Sequence, residues 1–388
     1  MVEIQDELGW LAAHHDRFCA IRREFHRRPE IAFEESWTSA ELARRLAALG
    51  CKISRPIGGT GFVATLKGGP GRVVALRTDM DALPQDEQTG LPYSSANAGR
   101  MHACGHDGHM TLLLATAELL VRAGPLPGTV HFICQPAEEV GRGAVAMIRD
   151  GLFDEIAPDL TFGFHNWPEL PVGTVAARPG AIMAAYRQIG FVLEGQGGHA
   201  ALPALSDDMY GALAALITLM NARMRAELPG TAFAFTQNLG GGAANIIPAR
   251  LGVSASFRYV APEEETAATR IAEEVAAEIA LGFGIAVRPE IVPVFGITRN
   301  DADAVGLVAA TVAAGDRGLA WQDAERSSMV AEDFGAMIED RPGCYFWIGA
   351  GMERGALHNS HFDFNEKLLL SAPQLLADVL RAGLCAPA

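Results

Sequence analysis

The sequence predicts an α/β protein in which a small α/β sandwich is inserted into a larger layered domain. Three observations carry this. Alanine- and leucine-rich segments with helical spacing alternate with short β-branched runs along the chain. The turn-rich Arg178-Pro179-Gly180 precedes a segment that reads strand, helix, strand, strand, helix, strand to about residue 294. The polar clusters suited to chemistry fall before residue 170 and after residue 350, on either side of that segment. An interrupted domain explains this better than two consecutive domains, and 388 residues suffice for two. The expected bounds are 1–180 and 295–388 for the larger domain and 181–294 for the insert.

In chain order, helices are expected over 7–27, 36–49, 110–123, 207–226, 263–281, 301–314 and 366–384, where apolar residues recur at helical spacing. Strands are expected over 61–67, 73–77, 129–134, 160–164 and 345–349 in the larger domain. Those of the insert fall at 187–194, 232–239, 251–260 and 285–294. No internal repeat or low-complexity tract stands out.

With 31 Lys+Arg against 46 Asp+Glu, the net charge of −15 argues against a nucleic-acid or anionic-membrane partner. At 49% hydrophobic and 20% charged residues the chain has material for a packed core and lacks the signature of disorder. The six cysteines are scattered without a C-x-x-C pair, which fits a reducing compartment. The N-terminal stretch is acidic and lacks the apolar run of a signal peptide, and nothing approaches about 18 uninterrupted apolar residues. The expectation is a soluble, cytoplasmic protein.

The chemistry concentrates in short motifs. Met101-His102-Ala103-Cys104-Gly105-His106-Asp107-Gly108-His109 gathers three histidines, a cysteine and an aspartate, donors suited to a zinc-like divalent ion. Cys104 and His106, two apart, cannot share a helix face, but they can converge from a loop entering the following helix. Phe132-Ile133-Cys134-Gln135-Pro136-Ala137-Glu138-Glu139 is an apolar strand ending in two carboxylates whose side chains diverge. One can bind a metal while the other faces the water that the metal activates. His165 ends another apolar strand, and either His358 or His361 can serve as a ligand near the C-terminus. Asp79 and Asp81, at alternating positions, can bind metal or orient ligating imidazoles.

Together RTDMDALP, MHACGHDGH, QPAEE, HNWP, GGH, GGGAANIIP and LHNSHFDFNE resemble the metal-dependent amidohydrolases of the M20 peptidase family. The resemblance is greatest to the hippurate hydrolase, aminoacylase and indole-3-acetyl-amino-acid hydrolase branch. It implies a two-metal, aminopeptidase-like catalytic domain with an inserted ferredoxin-like α+β lid and dimerisation domain, hence a homodimer. It assigns Cys104, His106, Glu139, His165 and His358 as ligands of two divalent ions (zinc, manganese, cobalt or nickel) and Glu138 as general base. Cys104 stands where other branches use a bridging aspartate. His358 is preferred to His361 because the motif's ligand follows Leu and precedes small residues. His199 is implied to reach the other subunit's site and stabilise an oxyanion, and Asn245 and Arg258 to hold the substrate carboxylate. Two departures are Ala204 after Pro203, where many relatives have His, and Ala331 before Glu332-Asp333-Phe334, where many have Ser.

The function so implied is hydrolysis of N-acyl amino acids, with acetyl, benzoyl or related acyl groups, to a carboxylic acid and a free amino acid. A dipeptidase or an N-carbamoyl amino acid hydrolase is the alternative on the same scaffold. A catalytically silent metal or small-molecule binding protein is a third reading, which the presence of both glutamates and every candidate ligand disfavours.

Overall fold

The computed structural model describes residues 6–315 and 318–386; the first five residues of the acidic N-terminal stretch lie outside them. The chain divides into two compact units. The first comprises the chain up to Ile182, Thr298–Arg326 and the chain from Asp333; the second comprises Met183–Ile297 and Ser327–Glu332. The sequence reading places 295–388 wholly in the larger domain, whereas the strip Ser327–Glu332 goes with the second unit. There the Ala184 amide donates to the carbonyls of Ser328 and Val330, and Arg258 to that of Met329. Bonds to main-chain carbonyls leave no side-chain pattern in the strip to read.

Among the described residues the first unit is built on an eight-stranded sheet. Its order is Lys52–Ile53, Phe62–Lys67, Thr129–Gln135, Val73–Asp79, Leu160–Trp167, Gly343–Gly349, Thr174–Ala177 and Ala320–Asp323. The four strands Thr129–Gln135, Val73–Asp79, Leu160–Trp167 and Gly343–Gly349 run parallel. Leu160–Trp167 and Gly343–Gly349 are buried along their whole length, so they are apolar almost throughout rather than alternating. Helix His106–Arg122 packs on Val73–Asp79 and against helices Glu7–His26 and Ala372–Cys385. Parallel pairing sets Asp79 opposite Gln135 and so brings the carboxyl ends of neighbouring strands side by side. The crevice outside such ends is where α/β sheets bind ligands.

The second unit has a four-stranded antiparallel sheet in the order Ala232–Gly240, Arg250–Tyr259, Ala185–Glu194, Ala286–Phe295. Helices Met209–Glu227 and Pro262–Phe283 pack against each other and on the sheet. With chain order βαββαβ, this is the ferredoxin-like arrangement. Ile189, Phe191 and Leu193 are buried with Leu216, Met220, Ile271 and Val275 in a core of its own.

Three local departures from expectation have simple causes. Helix His106–Arg122 begins four residues earlier than its apolar periodicity, because its first turn is polar or glycine. The expected helix 366–384 breaks at Ser371 into a 3₁₀ turn, Glu366–Leu370, and a helix, Ala372–Cys385. Pro373 starts the second piece, since proline fits a first turn and not a helix interior. Helix Gly143–Arg149 and strands Thr174–Ala177 and Ala320–Asp323 are too short to show a period. Among the described residues no helix is long and apolar enough to cross a membrane.

Candidate metal centre

Six of the residues singled out in the sequence converge at the carboxyl end of the parallel strands. The Cys104, His106 and His165 donor atoms lie within 4.8 Å of one another, as do those of Cys104, Glu139 and His358 and those of His106, Glu138 and Glu139. Cys104 enters through Gly105, whose φ of 92° suits glycine; a Cβ there would stand 2.5 Å from Asn166 Oδ1. The next residue, His106, opens the helix that lies on the central strand.

Main-chain carbonyls set the imidazoles. His106 Nδ1 donates to the Asp81 carbonyl at 2.8 Å, and His165 Nδ1 donates to the Asn166 carbonyl at 2.7 Å. A carbonyl only accepts, so each ring carries a proton on Nδ1 and turns its Nε2 to the site, the nitrogen left for a metal. His165 Nε2 is 3.4 Å from Cys104 Sγ. His106 Nε2 is buried without a hydrogen-bond partner, 3.7 Å from Asp79 Oδ2 and 3.9 Å from Glu139 Oε1. Glu139 Oε1 is likewise buried and unpartnered, while Glu139 Oε2 lies 3.3 Å from His358 Nε2. Buried polar atoms left without hydrogen-bond partners are costly, and a cation between these donors would satisfy them. The thiol, imidazole and carboxylate set suits a zinc-like divalent ion, so these residues fit the implied metal.

The electrostatics agree. Burial opposes ionisation of Asp79, but His106, His109 and Arg77 outweigh it and hold the carboxyl well below the usual range. Burial likewise works against protonation of His106, yet Asp79, Asp81 and Glu139 push its pKa up to about 10. Burial, Glu139, Glu138 and Asp79 push the Cys104 thiol well above its ordinary value. So dense a set of acids favours a positive charge among them, and a divalent cation supplies it while displacing the protons.

A buried frame stands behind the donors. Arg77 Nη1 donates to Asp79 Oδ2 at 2.7 Å, its Nε to Gln135 Oε1 at 2.9 Å, and Gln135 Nε2 to Asp333 Oδ1 at 2.6 Å. His109 Nδ1 pairs with Asp79 Oδ1 at 2.7 Å, and its Nε2 accepts from the Asn166 amide at 3.1 Å. Both His109 nitrogens are therefore committed. Asp81 Oδ2 accepts the Glu139 amide at 3.0 Å. His102 faces His26, at 6.4 Å between rings, and joins none of the donor groups found among the described residues. His361 is exposed and also outside them, while His358 adopts φ 62° with its amide on the Ala103 carbonyl. The sequence pointed to Asp79 and Asp81; Arg77, Gln135 and Asp333 fall within RTDMDALP, QPAEE and Glu332-Asp333-Phe334, but no role is read for them there.

The remaining three candidates lie on the second unit. His199 and Asn245 are both exposed, on two short segments joined where His199 pairs with Ile246 and Ala200 donates to the Asn245 carbonyl. Arg258 is half-buried over the Tyr186 ring, and burial lowers its pKa.

Residues 75–382 match the Peptidase family M20/M25/M40. The chain is 35% identical to an N-acetylcysteine deacetylase of Bacillus subtilis (strain 168), over 95% of this chain and 97% of that one. It is 33% identical to an N-acetyldiaminopimelate deacetylase of Bacillus pumilus, over 94% and 97%. A solved dinuclear metal binding peptidase of the M20 family from Bacillus subtilis superposes with a TM-score of 0.83 at 32% identity, covering 95% of this chain and 98% of that one. With a parallel sheet that gathers a cysteine, histidine and glutamate donor set and a separate ferredoxin-like unit, the chain belongs to the M20 peptidase family and is a metal-dependent amidohydrolase.

Proposed function

We propose that the enzyme cleaves the amide bond of N-acyl amino acids, releasing a carboxylic acid and a free amino acid. The observation that carries this reading is the pair of adjacent glutamates, Glu138 and Glu139, beside Cys104, His106, His165 and His358. The N-acetyl amino acid deacetylases among the relatives support the substrate class. Cys104, His106, Glu139, His165 and His358 would hold two divalent ions, with zinc, manganese, cobalt and nickel as candidates. When bound, such ions lower the pKa of a water and polarise the amide carbonyl.

Glu138 takes the proton of the attacking water and returns it to the leaving nitrogen. Asp81 orients His106 and Glu139 together through its carbonyl and its carboxylate. Arg77 and His109 keep Asp79 ionised beside His106. Arg258 and Asn245 are assigned to the substrate carboxylate, and His199, across a homodimer, to the oxyanion.

The test is a hydrolysis screen of N-acetyl, N-benzoyl and indole-acyl amino acids with dipeptides, after stripping and adding back Zn²⁺, Mn²⁺, Co²⁺ and Ni²⁺. Turnover of an N-acyl amino acid is expected with added metal only; turnover confined to dipeptides would overturn the substrate class. In Glu138→Gln, kcat is expected to fall at least about 100-fold. Metal content should stay at the parent level. Near-parental kcat would overturn the assignment of the base.

A further inference from the structure

The turn that carries Glu138 adopts a backbone conformation that its sequence resists. Ala137 is wholly buried with φ 53°, in the left-handed region where a Cβ crowds the following carbonyl. Non-glycine residues stay there when their surroundings over-determine it. The Ala137 carbonyl accepts from the amides of Arg142 and Gly143 at 3.3 and 3.1 Å. Its amide donates to Glu35 Oε1 at 2.9 Å. Two residues on, the Glu139 amide is held by Asp81. Glu138 therefore sits between two amides anchored by carboxylates from elsewhere in the chain.

Glu35 is placed for this in an unexpected way. It occupies the N-cap of helix Ser36–Ala48, where an acidic side chain ordinarily bonds the free amides of its own helix, yet it makes no such bond. Glu30 does so instead, accepting from the Trp37 and Thr38 amides at 3.1 and 2.7 Å. Glu35 turns inward and is fully buried, and its second oxygen accepts from Thr60 Oγ1 at 2.5 Å. Burying a carboxylate is unfavourable unless its hydrogen bonds are needed where it lies. The one to Ala137 is adjacent to the proposed base.

We propose that Glu35 is a positioning residue that fixes the left-handed turn at Ala137 and thereby aims the Glu138 carboxylate. The inference rests on the assignment of Glu138 as general base. Removing the anchor lets residue 137 relax toward negative φ, which swings the next side chain away from the site without touching the donors.

The test uses the metal-loaded enzyme and an N-acetyl amino acid that the parent turns over. In Glu35→Ala, kcat is expected to fall about tenfold to a hundredfold, the scale of a misplaced catalytic group. KM should stay within about twofold, as for a group acting in the transition state. Glu35→Gln, whose amide oxygen still accepts from Ala137 while its NH₂ faces Thr60, should keep kcat within about threefold. Adding Ala137→Gly to Glu35→Ala should recover several-fold in kcat, because glycine adopts positive φ freely. Metal per chain should be equal in all variants, and a crystal structure of Glu35→Ala should show φ at Ala137 outside the positive region. Should Glu35→Ala not fold, Glu35→Asp, which withdraws the carboxylate by one methylene, takes its place in every comparison. Parental kcat, an unchanged φ, a loss that follows KM or metal content, or Glu35→Gln falling as far as Glu35→Ala would each overturn the proposal. Glu138→Gln is assayed alongside: if it is inactive while Glu35→Ala runs at the parental rate, only the positioning role fails, whereas parental turnover in Glu138→Gln removes the base assignment itself.

Discussion

His26 is completely buried with a carboxylate against each ring nitrogen, Asp107 at 2.8 Å and Glu87 at 3.3 Å. Arg22, His102 and Tyr93 also face it. Burial opposes its protonation, but Asp107 and Glu87 prevail and raise its pKa to about 9. A raised pKa stabilises the fold fully below the unfolded value near 6.5, and the stabilisation is lost as pH rises through about 9. Its size is roughly 3 kcal/mol. Denaturant unfolding from pH 6 to 10 should therefore show a decline in the parent that His26→Gln lacks; parallel curves would contradict the pairing. In sequence His26 is one histidine in a basic helix end, and its partners lie 61 and 81 residues away. His106 and Glu139 were legible because their chemistry is local to a motif. His26, Glu35 and Arg77 were not, because their roles exist only in their partners.

At the scale of elements, helix His106–Arg122 joins the donor loop to the core. Its Gly108 meets Phe364, and a Cβ there would come within 2.2 Å of that buried ring. Helix propensity alone favours alanine over glycine by about 1 kcal/mol. The clash decides the sign here, since overpacking a filled core costs roughly 1–3 kcal/mol. Gly108→Ala should lower the melting temperature, measured by calorimetry; a rise would mean that Phe364 yields at no cost. Elements with a long period, such as Met209–Glu227 and Pro262–Phe283, were readable within a few residues of their ends. The start of His106–Arg122 was not, because the apolar pattern begins only at Met110.

For the whole molecule, the buried and unpartnered His106 Nε2 and Glu139 Oε1 predict that metal and fold are linked. A ligand bound only by the native state adds about 2.7 kcal/mol at a hundred times its Kd. Chelator-treated protein should melt at lower temperature than protein with Zn²⁺ restored, and the difference should shrink in acid, where the donors bind protons instead. Equal melting temperatures at saturating metal would contradict this linkage. The net charge of −15 works against the anionic N-acyl amino acid proposed above, whose capture would depend on local cations and bound metal. The sequence by itself determined the α/β class, the βαββαβ order of the inserted segment and the donor-bearing motifs, because periodicity and short motifs are properties of neighbouring residues. The tertiary structure alone decided that His109 has both nitrogens committed and that Glu35 reaches the Ala137 amide. Those outcomes follow from parallel strand register and backbone conformation, which set side chains distant in the chain within hydrogen-bonding reach.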